Sequence, residues 1–385
     1  MSLPRRLTRL VAAAGAGALV GACASSHSAV DRDIAAAVAA GNAAAGANGP
    51  AAAGTAPGAT PNAAAPVMSP NTRVPNDLPQ LRVDSTTAQG LRAPDGSVAP
   101  VLAARPLVRR SLMVAFTDSL RNPESATYDP ALDAYFVSNV NGPSATKDDN
   151  GFISRVGSDG KVTTKKLVAG GTSGVTLHAP KGMAIVGDTL WVADIDAVRA
   201  FNKTSGAPVA TVDLAPMGAK FLNDIAVGPD GALYITDTGI RYDARGLTEH
   251  PGPDRVFRIA GRTPTVALES ARLMMPNGIA WDARGARFII VPLGGDTVMT
   301  WKPGESQPDA LVAGPGQFDG VAVAPDGRIF VSSWATSAIH VYSGGRLEKV
   351  VEGVRSPADF SFEPKHGRLA VPLLGLGRVE YFELR

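Results

Sequence analysis

Cysteine is nearly absent: Cys23 stands alone in 385 residues, which excludes an internal disulfide and any cysteine-cluster metal site. Net charge is also lacking, with 37 basic against 35 acidic side chains. Setting aside the N-terminal segment with Arg5, Arg6 and Arg9 removes even that small basic excess, so nothing offers a phosphate backbone a footprint and no nucleic-acid partner is expected. Long apolar runs are missing too. Leu10 to Ala22 covers 13 residues, too few for a hydrocarbon core about 30 Å thick. No G-x-S-x-G elbow, H-E-x-x-H helix or G-x-x-x-x-G-K-[ST] loop is present, which removes serine-hydrolase, zincin and P-loop chemistries. What the chain has in excess is Gly (42) and Pro (30), above the roughly 12% these residues share in an average protein.

The first residues read as an address. Arg5, Arg6 and Arg9 precede the apolar run, and the run ends Leu19-Val20-Gly21-Ala22-Cys23, which resembles a bacterial lipoprotein box. Residues 1–22 are then a signal peptide, and Cys23 carries the acyl chains that anchor the protein to a membrane. Residues 23–104 are rich in Ala, Pro and Gly with few large apolar side chains. Such a segment cannot offset its ordering entropy by burial and reads as a tether. The expected location is the cell envelope, on the outer membrane facing the periplasm.

Residues 105–385 repeat one pattern six times. An alternating apolar segment leads through a Pro, Asp or Gly turn into a short β-rich strand, as from Leu222-Asn223-Asp224 through Pro229-Asp230-Gly231 to Leu233-Tyr234-Ile235. Such turns suit hairpins because Gly, Asp and Asn accept positive φ. Third strands follow in all six copies and a fourth in five, and the sixth copy ends without one. The unassigned strand Leu112 to Phe116 would complete that last copy, removing two open edges. The copies start at Glu124, Lys181, Asn223, Asn277, Asp319 and Ala358, at spacings of 57, 42, 54, 42 and 39 residues. Repeats of that length predict an all-β, six-bladed β-propeller with four-stranded blades, closed by the N-terminal strand.

In a propeller those six starting positions surround the axis. Unpaired charge is costly there, and a hard cation reconciles two acids with two carboxamides, since Ca²⁺ takes oxygen ligands from both. Soft-metal donors are missing from the set. Lys181 leaves a second arrangement open, in which its ammonium replaces the metal between Glu124 and Asp319 and the propeller is a non-catalytic ligand-binding or scaffold protein.

The motifs Pro-Glu-Ser at 123–125, Asn-Asp at 223–224, Pro-Asn-Gly at 276–278 and Asp-Gly at 319–320 resemble, in order and phase, those of the senescence-marker-protein/gluconolactonase/luciferin-regenerating-enzyme family, relatives of diisopropylfluorophosphatase. The resemblance covers about Arg105 to Arg385. It implies a divalent cation held by Glu124, Asn223, Asn277 and Asp319, with Ca²⁺ first and Zn²⁺ or Mg²⁺ as alternatives. It also implies hydrolysis of a lactone or related ester, with Asp319 as base or nucleophile. Two departures stand out. Gluconolactonase-type members carry Arg two residues before the first Asn, where this chain has Phe221, and Lys181 joins the ring. Phe221 argues for a more apolar substrate than a sugar lactone. Lys181 and His178 are further catalytic candidates, the one for an oxyanion or carboxylate, the other as a base. A strictosidine-synthase-like propeller would lack the four-residue set.

Loops after the second strands open on the same face. Asn139, Asp194, Asp237, Pro292, Ser333 and Leu373 stand at their roots and Trp334 and Leu374 add apolar wall; Asn139, Asp194, Asp237 and Trp334, with Phe221, are the expected lining of a small-molecule pocket. Two of these loops, Asn139 to Gly151 and Asp237 to Asp254, are long enough to cover it. A monomer is expected.

Overall fold

A computed structural model describes residues 111–242 and 248–384. The expected signal peptide, Cys23 and the tether lie outside the described residues, as does the tip of the second long loop at 243–247. The described chain is all-β and propeller-like. Its only helices are three 3₁₀ turns of three residues each.

The strands run as antiparallel meanders. The first comprises Pro123–Asp129, Ala134–Asn139, Phe152–Gly157 and Val162–Ala169. The second begins at Pro180–Val186, the third at Leu222–Val227, the fourth at Pro276–Asp282 and the fifth at Phe318–Val323. The second to fifth form four separate four-stranded sheets. The last, Asp359–Glu363, Arg368–Leu373 and Arg378–Leu384, receives Ser111–Thr117 as its outer strand, with Ser111 opposite Leu384 and Thr117 opposite Val379. The expected six separate sheets are not all distinct. The first and last meanders share one eight-stranded sheet, because their innermost strands pair in parallel at Ser125–Asp359 and Ala126–Phe360. The Ser125 hydroxyl donates to Asp359 Oδ2 (2.5 Å) across that joint.

Burial falls from inside to outside. Every residue of the second strand Ala134–Asn139 is buried, whereas the fourth strand Val162–Ala169 has one buried residue and is otherwise half-buried or exposed. This is why the second strands read as near-continuous apolar runs and the fourth strands as mixed ones. Between successive meanders lies an apolar cluster. One joins Phe136 and Ile153 to Leu190 and Phe201, another Ala193 and Val198 to Ile235 and Phe257. The series continues around to a cluster where Tyr135 and Val137 meet Ala370 and Tyr381, so the packing closes on itself.

Two local devices aim side chains at the centre. The first is a β-bulge at the start of the first five inner strands, where the register slips between Pro123 and Ala126, Pro180 and Met183, Leu222 and Ile225, Pro276 and Ile279, and Phe318 and Val321. A bulge turns a residue out of the ladder. Its freed N–H is caught by a second-strand hydroxyl: Ser125 N by Ser138, Asp224 N by Thr236 and Gly320 N by Ser332. The second, in three of these strands, is glycine at the next position: Gly182, Gly278 and Gly320. A Cβ on Gly182 would lie 2.3 Å from Asp224 Oδ1 and 2.5 Å from Asp224 Cα, and one on Gly320 would lie 2.6 Å from Asp359 Cα. Only glycine lets neighbouring inner strands come this close.

Candidate active site

The five bulges deliver Glu124, Lys181, Asn223, Asn277 and Asp319 to the wall of a single pocket of about 500 Å³, a volume that includes its open mouth. Val140, Phe221, Ile240, Leu293 and Leu374 supply apolar wall, and Ser144 and Tyr242 complete it. The floor is therefore polar and the sides greasy, a combination suited to a small organic ligand. All five floor residues are buried, Lys181 to 1% exposure and Glu124 to 7%.

Three floor oxygens have no hydrogen-bond partner: Glu124 Oε2, Asn277 Oδ1 and Asp319 Oδ1. Leaving one such atom buried and unpaired costs about 1–3 kcal/mol. Three on one pocket floor are oxygens placed to meet a ligand. The fourth donor is set by its neighbour. Asn223 Nδ2 donates to Thr238 Oγ1 (3.1 Å), whose own proton goes to Pro276 O (2.9 Å). The carboxamide oxygen of Asn223 is thereby the end turned away from Thr238.

The electrostatics agree. Burial pushes the Glu124 and Asp319 carboxyls well above their ordinary range, and Asp319 and Asp359 add repulsion at Glu124. Asp359 is driven by burial up to about 7, and Asp224 also moves well upward. Of these four carboxyls only Glu124 acts on the buried lysine, whose pKa burial brings down to about 8 against the pull of Glu124, Asp194 and Asp237. Such a centre holds protons or a cation. A hard divalent ion fits its all-oxygen donors, with two carboxylates balancing the charge. Among the described residues no group of three or more His, Cys, Asp or Glu forms a metal centre, so the set depends on its carboxamides.

Lys181 does not sit between Glu124 and Asp319. Its Nζ donates to Ala179 O (3.2 Å) and lies 4.2 Å from the centre of the Phe221 ring. Among the described residues it makes no ion pair within 4.0 Å. The arrangement in which the ammonium replaces the metal is not the one observed.

The other candidates fall elsewhere. Asp194 is fully buried and accepts from His178 N, Ala179 N and the Arg199 guanidinium. Asp237 accepts from Lys220 N, Phe221 N and Gly239 N. Asn139 accepts from Arg121 N and donates to Val137 O and Ser154 Oγ. None of the three lines the pocket; each fastens the loop that leads into its inner strand. His178 stays off the pocket wall as well, and its Nδ1 accepts from Asp149 N (3.0 Å). Trp334 packs behind Leu374, gives its indole N–H to Pro357 O (3.1 Å) and draws the Asp319 pKa partway back down. The two long loops meet at the pocket wall, where Ser144 Oγ and Tyr242 Oη lie 3.1 Å apart. Thr238, Ile240, Leu293 and Val140 were not singled out from sequence. The signal available for Thr238 was its position two residues beyond Thr236, on the same side of the chain as the strand's other axial hydroxyl.

Comparison with known proteins bears on the fold. No curated protein matches the sequence. Among solved structures, a protein described as a putative gluconolactonase aligns with a TM-score of 0.55 at 20% identity, over 72% of this chain and 92% of its own. A gluconolactonase from Xanthomonas campestris gives 0.53 at 17% identity, over 71% and 89%. A luciferin-regenerating enzyme gives 0.51 at 15%, over 70% and 94%. At these identities the likeness is one of fold. The model of the SMP-30/Gluconolactonase/LRE-like region matches residues 123–363, a span that starts beside Glu124 and takes in every floor residue of the pocket. The chain belongs to the SMP-30/gluconolactonase/LRE-like family.

Proposed function

We propose that the protein is a divalent-cation-dependent hydrolase of a lactone or related ester, built on a six-bladed propeller and tethered at the bacterial cell envelope through lipid on Cys23. Counting the eight-stranded sheet as two blades gives six, supported by the ring of apolar clusters. The observation that carries the enzymatic reading is the set of partnerless oxygens on Glu124, Asn277 and Asp319, with Lys181 folded aside onto Phe221. A gluconolactonase and a calcium-binding regucalcin from Agrobacterium tumefaciens among the fold relatives agree with it.

Glu124, Asn223, Asn277 and Asp319 would hold the cation, Ca²⁺ before Zn²⁺ or Mg²⁺ because every donor is oxygen. When bound it would polarise the ester carbonyl and acidify water. The chain's own groups do the rest. The Asp319 carboxylate, on the pocket lining with one oxygen unpartnered, would take the proton of the attacking water. The ammonium of Lys181 favours the ionised form of Glu124. Thr238 holds the Asn223 carboxamide in one orientation. Val140, Ile240, Leu293 and Leu374 keep bulk water from the floor and hold the substrate's apolar body.

The test is turnover by the purified chain on a panel of lactones and aryl esters. The reading expects activity that EDTA abolishes and Ca²⁺ restores, and that Asp319→Asn lowers by at least a hundredfold. Turnover indifferent to EDTA, or none on any lactone or ester with cation present, overturns it. For the tether, Cys23→Ser should move the chain from the membrane to the soluble fraction.

A further inference from the structure

Lys181 is buried to 1% exposure on the wall of the pocket, yet no carboxylate is its partner among the described residues. An ammonium has three N–H donors. One goes to Ala179 O, and the face of Phe221 takes up another direction. The remaining direction belongs to whatever occupies the pocket. Charge balance points the same way. Among the groups that line the pocket, a divalent cation would balance Glu124 and Asp319 and leave the charge of Lys181; Asp194 and Asp237, which also draw on it, are already engaged by Arg199 and by backbone N–H groups. A buried, uncompensated charge is costly, and an occupant with one negative charge removes that cost. Val140, Ile240, Leu293 and Leu374 offer apolar surface, and the two remaining polar groups of the wall, the Ser144 and Tyr242 hydroxyls, are neutral and bonded to each other.

We infer that Lys181, laid against Phe221, is an anion subsite, and that the substrate of the hydrolase proposed above is an apolar lactone or ester carrying a single carboxylate. The carboxylate takes the free donor of Lys181, and the apolar body runs along the greasy wall toward Ser144 and Tyr242. The inference rests on the hydrolase reading for its substrate, but the subsite itself is a matter of binding.

The experiment therefore measures binding without turnover. Full-length protein loaded with Ca²⁺ is titrated calorimetrically with 4-phenylbutanoate and with 4-phenylbutanamide, its neutral counterpart. The expected result is a carboxylate preference of tenfold or more, which Lys181→Met reduces to less than threefold and Lys181→Arg largely retains. Lys181→Met removes a buried charge without changing much volume; should it fail to fold, Lys181→Gln serves in its place. Equal binding of the two probes to the wild-type protein overturns the inference. So does a preference that survives in the neutral variant, since the carboxylate is then held by the cation alone. A preference that depends on Lys181 in a protein without lactonase activity supports the subsite and counts only against the hydrolase reading.

Discussion

Removing divalent cations should invert the usual response of this protein to acid. Burial holds Asp359 at about 7 instead of 3.8. A carboxyl whose pKa is raised on folding binds more protons in the native state, so its contribution is fully present below about pH 4 and is lost as pH rises through about 7. Between pH 7 and pH 5, Asp359 alone returns roughly 2 kcal/mol to the native state, at about 1.4 kcal/mol per pKa unit. Glu124, Asp224, Asp319 and Asp237 are shifted in the same direction. Of the histidines, His250 is raised by Asp254 and adds to the trend, whereas His340 is lowered by burial and opposes it. The carboxyls lowered by surface partners, Asp133, Asp159 and Asp230, respond only below about pH 4 and leave this window alone. In EDTA, thermal unfolding should therefore rise by roughly 4–8 °C as pH falls from 7 to 5. With saturating Ca²⁺ the slope should reverse, because the cation needs the ionised carboxylates that acid removes. Scanning calorimetry at five pH values, with and without Ca²⁺, reads both slopes. Stability in EDTA that falls steadily with pH, or two parallel curves, would refute the reasoning.

Three substitutions test the supports of the site. Gly182→Ala places a methyl 2.3 Å from Asp224 Oδ1 and against its backbone, so the inner strands must part; urea unfolding should show a loss of about 3 kcal/mol. Asp194→Ala strips the acceptor from two backbone N–H groups and from Arg199. It should lower stability by about 3–5 kcal/mol, whereas a residue of the pocket wall would alter ligand binding with little effect on unfolding. Thr238→Val frees the Asn223 carboxamide to flip and should weaken Ca²⁺ binding, read by calorimetry, by about 10–100-fold.

The axial residues were legible because each sits at a fixed offset in a repeat, between a strand start and the turn that follows it. A bulge at that offset makes the position axial in five inner strands. The closing strand was legible as an apolar run left without a partner, and it does pair with Arg378–Leu384. What the pattern did not carry is direction. Asn139, Asp194 and Asp237 end second strands on the open face and look like pocket groups, but each turns back onto the N–H groups of its own loop. Nothing in their spacing separates an acid that faces a ligand from one that caps a turn. Lys181 has a long, flexible side chain, and its choice of Phe221 over Glu124 depends on a ring placed 40 positions away. The merging of first and last meanders hangs on two residue pairs and two hydroxyls, those of Ser125 and Ser361, too local a feature for strand patterning to reveal.

Cation content is the most direct test of the central claim that the oxygens of Glu124, Asn223, Asn277 and Asp319 surround a divalent ion. Equilibrium dialysis of the EDTA-stripped protein against Ca²⁺, with Asn277→Ala and Asp319→Ala as partners, should give one tight site per chain in the wild type, weakened at least a hundredfold in each variant. A wild-type protein that takes up no divalent ion at millimolar concentration, or variants that bind it as the parent does, would contradict the account.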